Sequence, residues 1–364
     1  VNGSTWPQLE VASERYRFRF VNASDSRFLN LSLQVIEQRT LRNGRIKEKV
    51  IGELPFYQIG SEQGLLPQVV QIETGFATPL VPGAPFPANP SQKVKGRFKE
   101  QALLMGPAER PDVIVDFTGL ADGTIVRMIN TAPDAPFGGF PDVPADPATT
   151  GQVMEFVVDD TLNGMSDTDP GGATPATDPS LLVFDANPGG DTPLGGSSVT
   201  RDLALLEEES ISVCVNVRPN GTINYDRKGT PDLANPGTCI DKKGRLRRSI
   251  PFAPKAAVLG TNGAGGGTVQ LCSDPIAQNP ASGATETWEL WNWSADAHPI
   301  HLHLVKFSVE DRQIIAGAVR PPEATEAGWK DTVIAYPGEI TRLKAEFDRD
   351  GLYVWHCHIV EHED

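Results

Sequence analysis

All six histidines of the chain, His298, His301, His303, His356, His358 and His362, lie between residues 298 and 362. Chance alone would gather them there in roughly 3 cases in 100,000, well below the false-positive risk of an ordinary short motif. They form two runs, His298-Pro299-Ile300-His301-Leu302-His303 and His356-Cys357-His358-Ile359-Val360-Glu361-His362. Imidazole and thiolate together are soft ligands that prefer copper. In a strand, successive side chains point to opposite faces. His301 and His303 then share one face, as do His356 and His358, and Cys357 points the other way. One strand would thus serve a thiolate site on one face and a histidine site on the other. Cys357 adjoins both His356 and His358, so the backbone is a short electron path between the two. With His298 and His362, Cys357 makes the two-His-one-Cys set of a blue-copper centre. A four-ligand structural zinc site would not need six histidines.

These runs need a rigid β framework. Tyr16, Phe18 and Phe20 alternate with Arg17 and Arg19, which predicts a half-buried strand from Glu10 to Phe20. A turn at residues 21–25 leads to a second strand, Phe28 to Ile36. Further strands are expected at 69–72, 103–105, 113–117, 125–129 and 153–158. After a break come 203–206, 211–217, 256–259, 268–271, 287–291, 301–309, 331–335, 341–347 and 351–358. Short strands at this spacing read as antiparallel sandwiches. Between about Asp160 and Ser198 Gly, Pro, Asp and Thr dominate, the composition of a linker. Residues 214–248 read as an inserted surface excursion. A Cys214–Cys239 bridge would staple it, with about 3 kcal/mol in the chain-entropy model. Free buried thiols at Cys214, Cys239 and Cys272 are the alternative.

Composition narrows the classes. A chain of 364 residues with 39% hydrophobic and 22% charged residues is ordinary for a globular protein of two domains. The net charge of −15 argues against a nucleic-acid partner. No run approaches the ~18 apolar residues of a membrane helix, so no membrane span is expected. No basic, apolar leader opens the chain, and any signal peptide is expected to have been removed or never to have existed. Sequons at Asn2, Asn22, Asn30, Asn220 and Asn292 are compatible with secretion. A secreted, periplasmic or spore- or cell-surface location is favoured over the cytoplasm, without being fixed.

The segments His298–Phe307 and Tyr353–Asp364 resemble the carboxyl-terminal copper motifs of the multicopper oxidases, in particular the bacterial spore-coat laccase, bilirubin oxidase and phenoxazinone synthase group. The resemblance extends to Val1-Asn2-Gly3 with Trp6-Pro7, Tyr16-Arg17-Phe18-Arg19 with Val21-Asn22-Ala23-Ser24, Gly64-Leu65-Leu66-Pro67 and Gly106-Pro107-Ala108-Glu109-Arg110. Those segments are similar to that group's second cupredoxin domain. Gly328-Trp329-Lys330-Asp331-Thr332 is similar to its third. The resemblance implies an all-β fold of two cupredoxin-like Greek-key β-sandwich domains, 1–159 and 200–364, joined by a Gly/Pro-rich linker over 160–199.

It also implies a site. Cys357, His298 and His362 would bind type 1 copper, His301 type 2 copper, and His303, His356 and His358 the binuclear type 3 pair. The implied activity is one-electron oxidation of a phenolic, aminophenolic or similar reductant, coupled to reduction of dioxygen to water. Glu363 matches a carboxylate that the family uses in proton delivery, and Asp296 and Asp331 are candidates to support the ligands. The family's trinuclear cluster needs eight histidines, and four are here. The other four, two His-X-His pairs, are expected from a first cupredoxin domain on a second polypeptide or on an earlier portion of the gene product cut near residue 1. The axial type 1 ligand is expected beyond Asp364. Two other functions fit parts of the pattern: a blue-copper electron carrier without oxidase activity, and a copper nitrite reductase-like enzyme. Histidines on the second face weigh against the carrier. Histidines on both sides of Cys357 fit a paired-copper site better than the reductase.

Overall fold

The computed structural model describes residues 1–72, 102–139, 143–164, 194–208, 213–217, 219, 223–225, 230–232, 235, 238–241, 243–250, 256–263, 267–271 and 273–362. Most of the expected linker, together with Cys272 and Glu363, lies outside them. The all-β expectation holds. Among the described residues no helix is long and apolar enough to cross a membrane.

The first sandwich faces a six-stranded sheet with a four-stranded one. The larger runs in the order Gln8–Val11, Gln152–Val158, Ile125–Asn130, Leu29–Thr40 and Ile46–Leu54, with Leu103–Met105 added beside Leu29–Thr40. The smaller runs Arg15–Arg19, Asp112–Asp116, Phe56–Ser61, Gly64–Ile72. Period-two patterning explains the smaller sheet's first strand. Tyr16 and Phe18, followed by Phe20, pack on the core of Val113, Val115, Phe117 and Phe156, while Arg17 pairs with Asp112 on the other side. The expected single strand from Glu10 to Phe20 is corrected. Val11 and Ala12 are buried, the chain leaves the large sheet there, and the Ala12 N–H donates to the Tyr16 hydroxyl at 2.8 Å before the chain joins the opposite sheet.

The second sandwich has a seven-stranded sheet in the order Thr268–Val269, Ala256–Thr261, Val199–Glu208, Ala284–Asn292, Glu339–Phe347, Phe307–Ile314, Val319–Arg320. Thr332–Ala335, His298–Leu302 and Trp355–Cys357 form a separate three-stranded sheet. The excursion is a five-stranded sheet of its own, running from Val213–Val217 to Leu246–Ile250, and a Cys214–Cys239 disulfide joins two of its strands.

The sandwiches are packed together. Phe28, Ala132 and Phe137 of the first belong to the same apolar cluster as Leu290, Ala297, Ile300 and Ile334 of the second. Gly106 sits where the backbones approach. A Cβ there would lie 3.2 Å from Phe28 and Pro299 and 3.3 Å from Ile334. Beside this contact runs a seam of buried charge. Lys330 Nζ lies 2.8 Å from Glu62 and 3.4 Å from Glu109. Burial pushes the Glu109 carboxyl up to about 7, against the pull of Lys330. Arg312 is wholly buried and donates to Glu326, to Thr341 Oγ1 at 3.0 Å and to the Ile334 carbonyl at 2.8 Å.

Removing one partner of a buried ion pair leaves an uncompensated charge. Arg312→Leu is therefore expected to cost about 3–5 kcal/mol, read as a lowered urea midpoint. A change within error would show that Glu326 does not depend on Arg312.

Candidate metal centre

The centre is built on His298–Leu302, the middle strand of the three-stranded sheet. Its antiparallel register with Trp355–Cys357 pairs Ile300 with Cys357, His301 with His356 and Leu302 with Trp355. Paired residues share a face. Cys357 accordingly lies on the inner face with the buried Ile300 and Leu302, and His301 and His356 lie together on the other. On the far side Thr332–Ala335 pairs His298 with Ala335 and His301 with Thr332.

On the inner face, Cys357 Sγ is 3.5 Å from His298 Nδ1 and 3.7 Å from His362 Nδ1. The three donor atoms lie within 4.8 Å of one another. His298 and Cys357 are 1% and 2% exposed. His362 sits on a 3₁₀ turn, Val360–His362, which is tied to the first sandwich by a 3.0 Å bond from the Val360 N–H to the Asp25 carbonyl. The ring of His298 is oriented from behind. Asn292 Nδ2 donates to the carbonyls of Asp296 and Ala335, so Asn292 Oδ1 faces Ser294 Oγ at 2.6 Å. The Ser294 hydroxyl has one hydrogen, which goes to Asn292 Oδ1, nearer at 2.6 Å than the Asp296 carbonyl at 3.0 Å. It must accept from His298 Nε2 at 2.7 Å, which leaves the Nδ1 lone pair aimed at Cys357. Burial and the neighbouring His362 hold His298 down to about 3, so its imidazole is neutral. Burial also lowers His362, against the opposing pull of Glu361 and Glu207.

On the outer face, His303 Nε2 lies 3.1 Å from His356 Nε2. His301, His303 and His356 bring three donor atoms within 4.8 Å. The ring of His358 is 5.0 Å from that of His356 and 5.8 Å from that of His301. The strands stop at Leu302 and Cys357, so His303 and His358 stand in bends just beyond them. Backbone bonds from His303 N to the Val354 carbonyl, 3.2 Å, and from His358 N to the Pro299 carbonyl, 2.7 Å, keep the two chains aligned there. His356 Nδ1 is turned back on the Cys357 carbonyl at 3.0 Å. His301 Nδ1 is turned on the Asp331 carbonyl at 2.8 Å. Both rings thus direct Nε2 away from the backbone. Burial and the three neighbouring imidazoles lower His303. A cavity of about 420 Å³ opens beside His301, lined by Gln63, Lys306, Trp329 and Asp331. A second, of about 320 Å³, runs beside His303 past Leu304, Tyr353 and Trp355.

The donor sets suit copper. A desolvated thiolate with two neutral imidazoles is a soft set, and a cluster of imidazoles suits copper equally well. Of the two acids expected to support the ligands, Asp296 and Asp331, the side chain of Asp331 reaches the site, with Oδ1 3.5 Å from His301 Nδ1. Burial raises its carboxylate, but the contacts with His301, Arg110 and Gln63 outweigh that and hold it well below the usual range. Asp296 contributes its backbone carbonyl to the Ser294 and Asn292 network. Ser294 and Gln63 stand in no motif of the sequence, and Arg110 and Thr332 stand in two of them with no side-chain role attached.

Loss of the Ser294 hydroxyl strands His298 Nε2 in a dry pocket, while Asn292 Oδ1 keeps the Ser294 backbone N–H at 2.9 Å. Ser294→Ala is expected to destabilise the metal-free chain by about 1–3 kcal/mol, measured by urea titration. An unchanged midpoint would contradict the network.

Residues 248–364 match a family model described as multicopper oxidase. The chain is 30% identical over 383 residues to a laccase of Bacillus subtilis (strain 168), covering 100% of this chain and 52% of that protein. It is 30% identical over 365 residues to a laccase of Haloferax volcanii, covering 100% of this chain and 45% of the relative. The chain thus spans about half the length of the curated relatives it matches. The fold matches a laccase-like multi-copper oxidase, CueO, from Ochrobactrum sp. with a TM-score of 0.56 at 20% identity, over 100% of this chain and 56% of that one. It also matches a multicopper oxidase from Campylobacter jejuni, described as a metallo-oxidase, with a TM-score of 0.53 at 17% identity, over 100% and 54%. Residues 248–364 thus match the multicopper oxidase family, whose members bind copper, and over its whole length the chain is similar in sequence to laccases and in fold to multicopper oxidases.

Proposed function

We propose that residues 1–159 and 200–364 are two cupredoxin units of a laccase-like copper oxidase that takes electrons singly from a phenolic or similarly electron-rich molecule and delivers them to dioxygen. The observation that carries this reading is the back-to-back arrangement of Cys357 with His298 and His362 on one face and His301, His303 and His356 on the other. The laccases among the relatives support the reductant class.

In this reading His298, Cys357 and His362 hold type 1 copper, His301 holds type 2 copper, and His303, His356 and His358 hold the type 3 pair. Copper, when bound, supplies one-electron oxidation of the reductant at the first site and four-electron reduction of dioxygen to water at the second. The protein's part is positioning. The buried Cys357 offers its thiolate in a pocket closed to water, and Ser294 fixes the facing His298. The peptide bonds on either side of Cys357 give electrons a covalent route to His356 and His358. His362, partly exposed on its turn, is the edge at which a reductant approaches. Two His-X-His pairs complete the histidine set, from a further cupredoxin domain on a longer form of this chain or on a second polypeptide. Glu363, next to His362 in sequence, delivers protons.

Cys357→Ser should abolish the intense visible charge-transfer band of the copper-loaded chain and leave its far-ultraviolet circular dichroism unchanged, because a hydroxyl is a harder and weaker copper ligand. A variant that stays blue would sink the type 1 assignment. In the oxidase assembled with its completing domain, Glu363→Gln should slow reoxidation by dioxygen and leave reduction by substrate nearly untouched. Stopped-flow traces with slowed reduction and normal reoxidation would refute the proton-delivery role.

A further inference from the structure

The first sandwich contains no histidine and no cysteine, yet two of its side chains reach the histidine cluster through Asp331. Arg110 Nη1 and Nη2 donate to Asp331 Oδ1 and Oδ2 at 2.9 and 2.6 Å, a two-pronged contact. Gln63 Nε2 donates to Oδ2 at 2.5 Å. Arg110 is itself anchored in the first sandwich, where Nη1 donates to the Ala108 carbonyl at 2.8 Å and its backbone N–H to Glu62 Oε1 at 3.1 Å.

The orientation of Asp331 has a chemical consequence one residue on. Thr332 Oγ1 donates to Asp331 Oδ1 at 2.9 Å. A hydroxyl has one hydrogen. With that hydrogen committed, Thr332 Oγ1 turns a lone pair toward His301 Nδ1, 3.0 Å away. The Asp331 carbonyl oxygen faces the same nitrogen at 2.8 Å. Two acceptors against Nδ1 require a hydrogen there. His301 is then the Nδ1–H tautomer, and Nε2 keeps its lone pair for the cluster with His303 and His356.

We infer that Arg110 and Gln63 form an interdomain clamp which, by fixing the Asp331 carboxylate, holds the Asp331 carbonyl and the Thr332 hydroxyl in place and through them the tautomer and ring orientation of His301. The first sandwich thereby supplies positioning residues to a site for which it supplies no ligand. Partners behind a ligating histidine decide which nitrogen faces the metal. The tautomer belongs to the metal-free chain. Only its effect on copper affinity rests on the proposed function.

The test is long-range ¹H–¹⁵N correlation spectroscopy of the metal-free chain with ¹⁵N-labelled histidine, in wild type, Arg110→Lys and Asp331→Asn. Wild-type His301 is expected as a single Nδ1–H tautomer. Both variants are expected to shift His301 toward Nε2–H, with the His298 and His356 signals unmoved, which a general loss of structure would not give. Copper(II) titration of the same samples, followed by electron paramagnetic resonance, is expected to show binding at the histidine cluster weakened about 10- to 100-fold in the variants. Should Asp331→Asn fail to fold, Arg110→Lys, which keeps the charge and loses the fork, carries the test. A wild-type Nε2–H tautomer, or full retention of Nδ1–H in a folded variant, would overturn the clamp. If the variants lose the tautomer while wild type binds no copper, the clamp stands and the copper assignment fails.

Discussion

The backbone register between His298–Leu302 and Trp355–Cys357 is the constraint on which the candidate site depends. A slip of one residue would move every side chain of one strand to the opposite face. Cys357 would then leave His298, and His356 would leave His301. The register is held from three sides. Ile300 and Leu302 are buried beneath it, Thr332–Ala335 pairs along the other edge, and the His303–Val354 and His358–Pro299 backbone bonds continue the alignment past both strand ends. The two donor sets are thus placed by main-chain geometry, while Ser294, behind His298, and the Cys357 carbonyl, behind His356, choose which ring nitrogen faces inward.

The packing of the two sandwiches bears on the same strands. Apolar contact among Phe28, Phe137 and Ile334 sits beside the charged seam of Glu62, Glu109 and Lys330. Buried ion pairs lose in desolvation much of what they gain in attraction. Such a seam contributes little net stability, but it penalises any relative shift of the sandwiches, because each displaced charge would be left unpaired in a dry interface. Lys330 lies directly before Asp331 and Thr332, so the same segment that locks the interface also lines the histidine cluster.

Much of this could be read from the residues alone, for reasons that differ by position. The alternation of Tyr16, Phe18 and Phe20 with arginines reports a half-buried strand, because period two is the only pattern that a strand can impose. The same rule separates Cys357 from His356. It fails where the environment is not periodic. Ile46–Leu54 is exposed along almost its whole length and carries no apolar alternation, so its place beside Leu29–Thr40 depends on backbone pairing that composition does not reveal. The break at Ala12 escapes a propensity argument because both flanking segments are good strands, and only their separate partners divide them. Arg110, Gln63 and Ser294 were hidden for a further reason. Their significance lies in contacts across 221, 268 and 4 positions of sequence, and no local pattern marks a polar residue as the partner of one distant acid or one ring nitrogen.

Anomalous diffraction at the copper absorption edge from crystals of the copper-loaded chain would test most directly the claim that one strand pair separates two metal-holding faces. The account predicts one copper peak within bonding distance of Cys357 Sγ, His298 Nδ1 and His362 Nδ1, and any further copper on the opposite face against His301, His303 and His356. A copper bound jointly by Cys357 and a histidine of the outer face, or a thiolate pocket without copper, would contradict it.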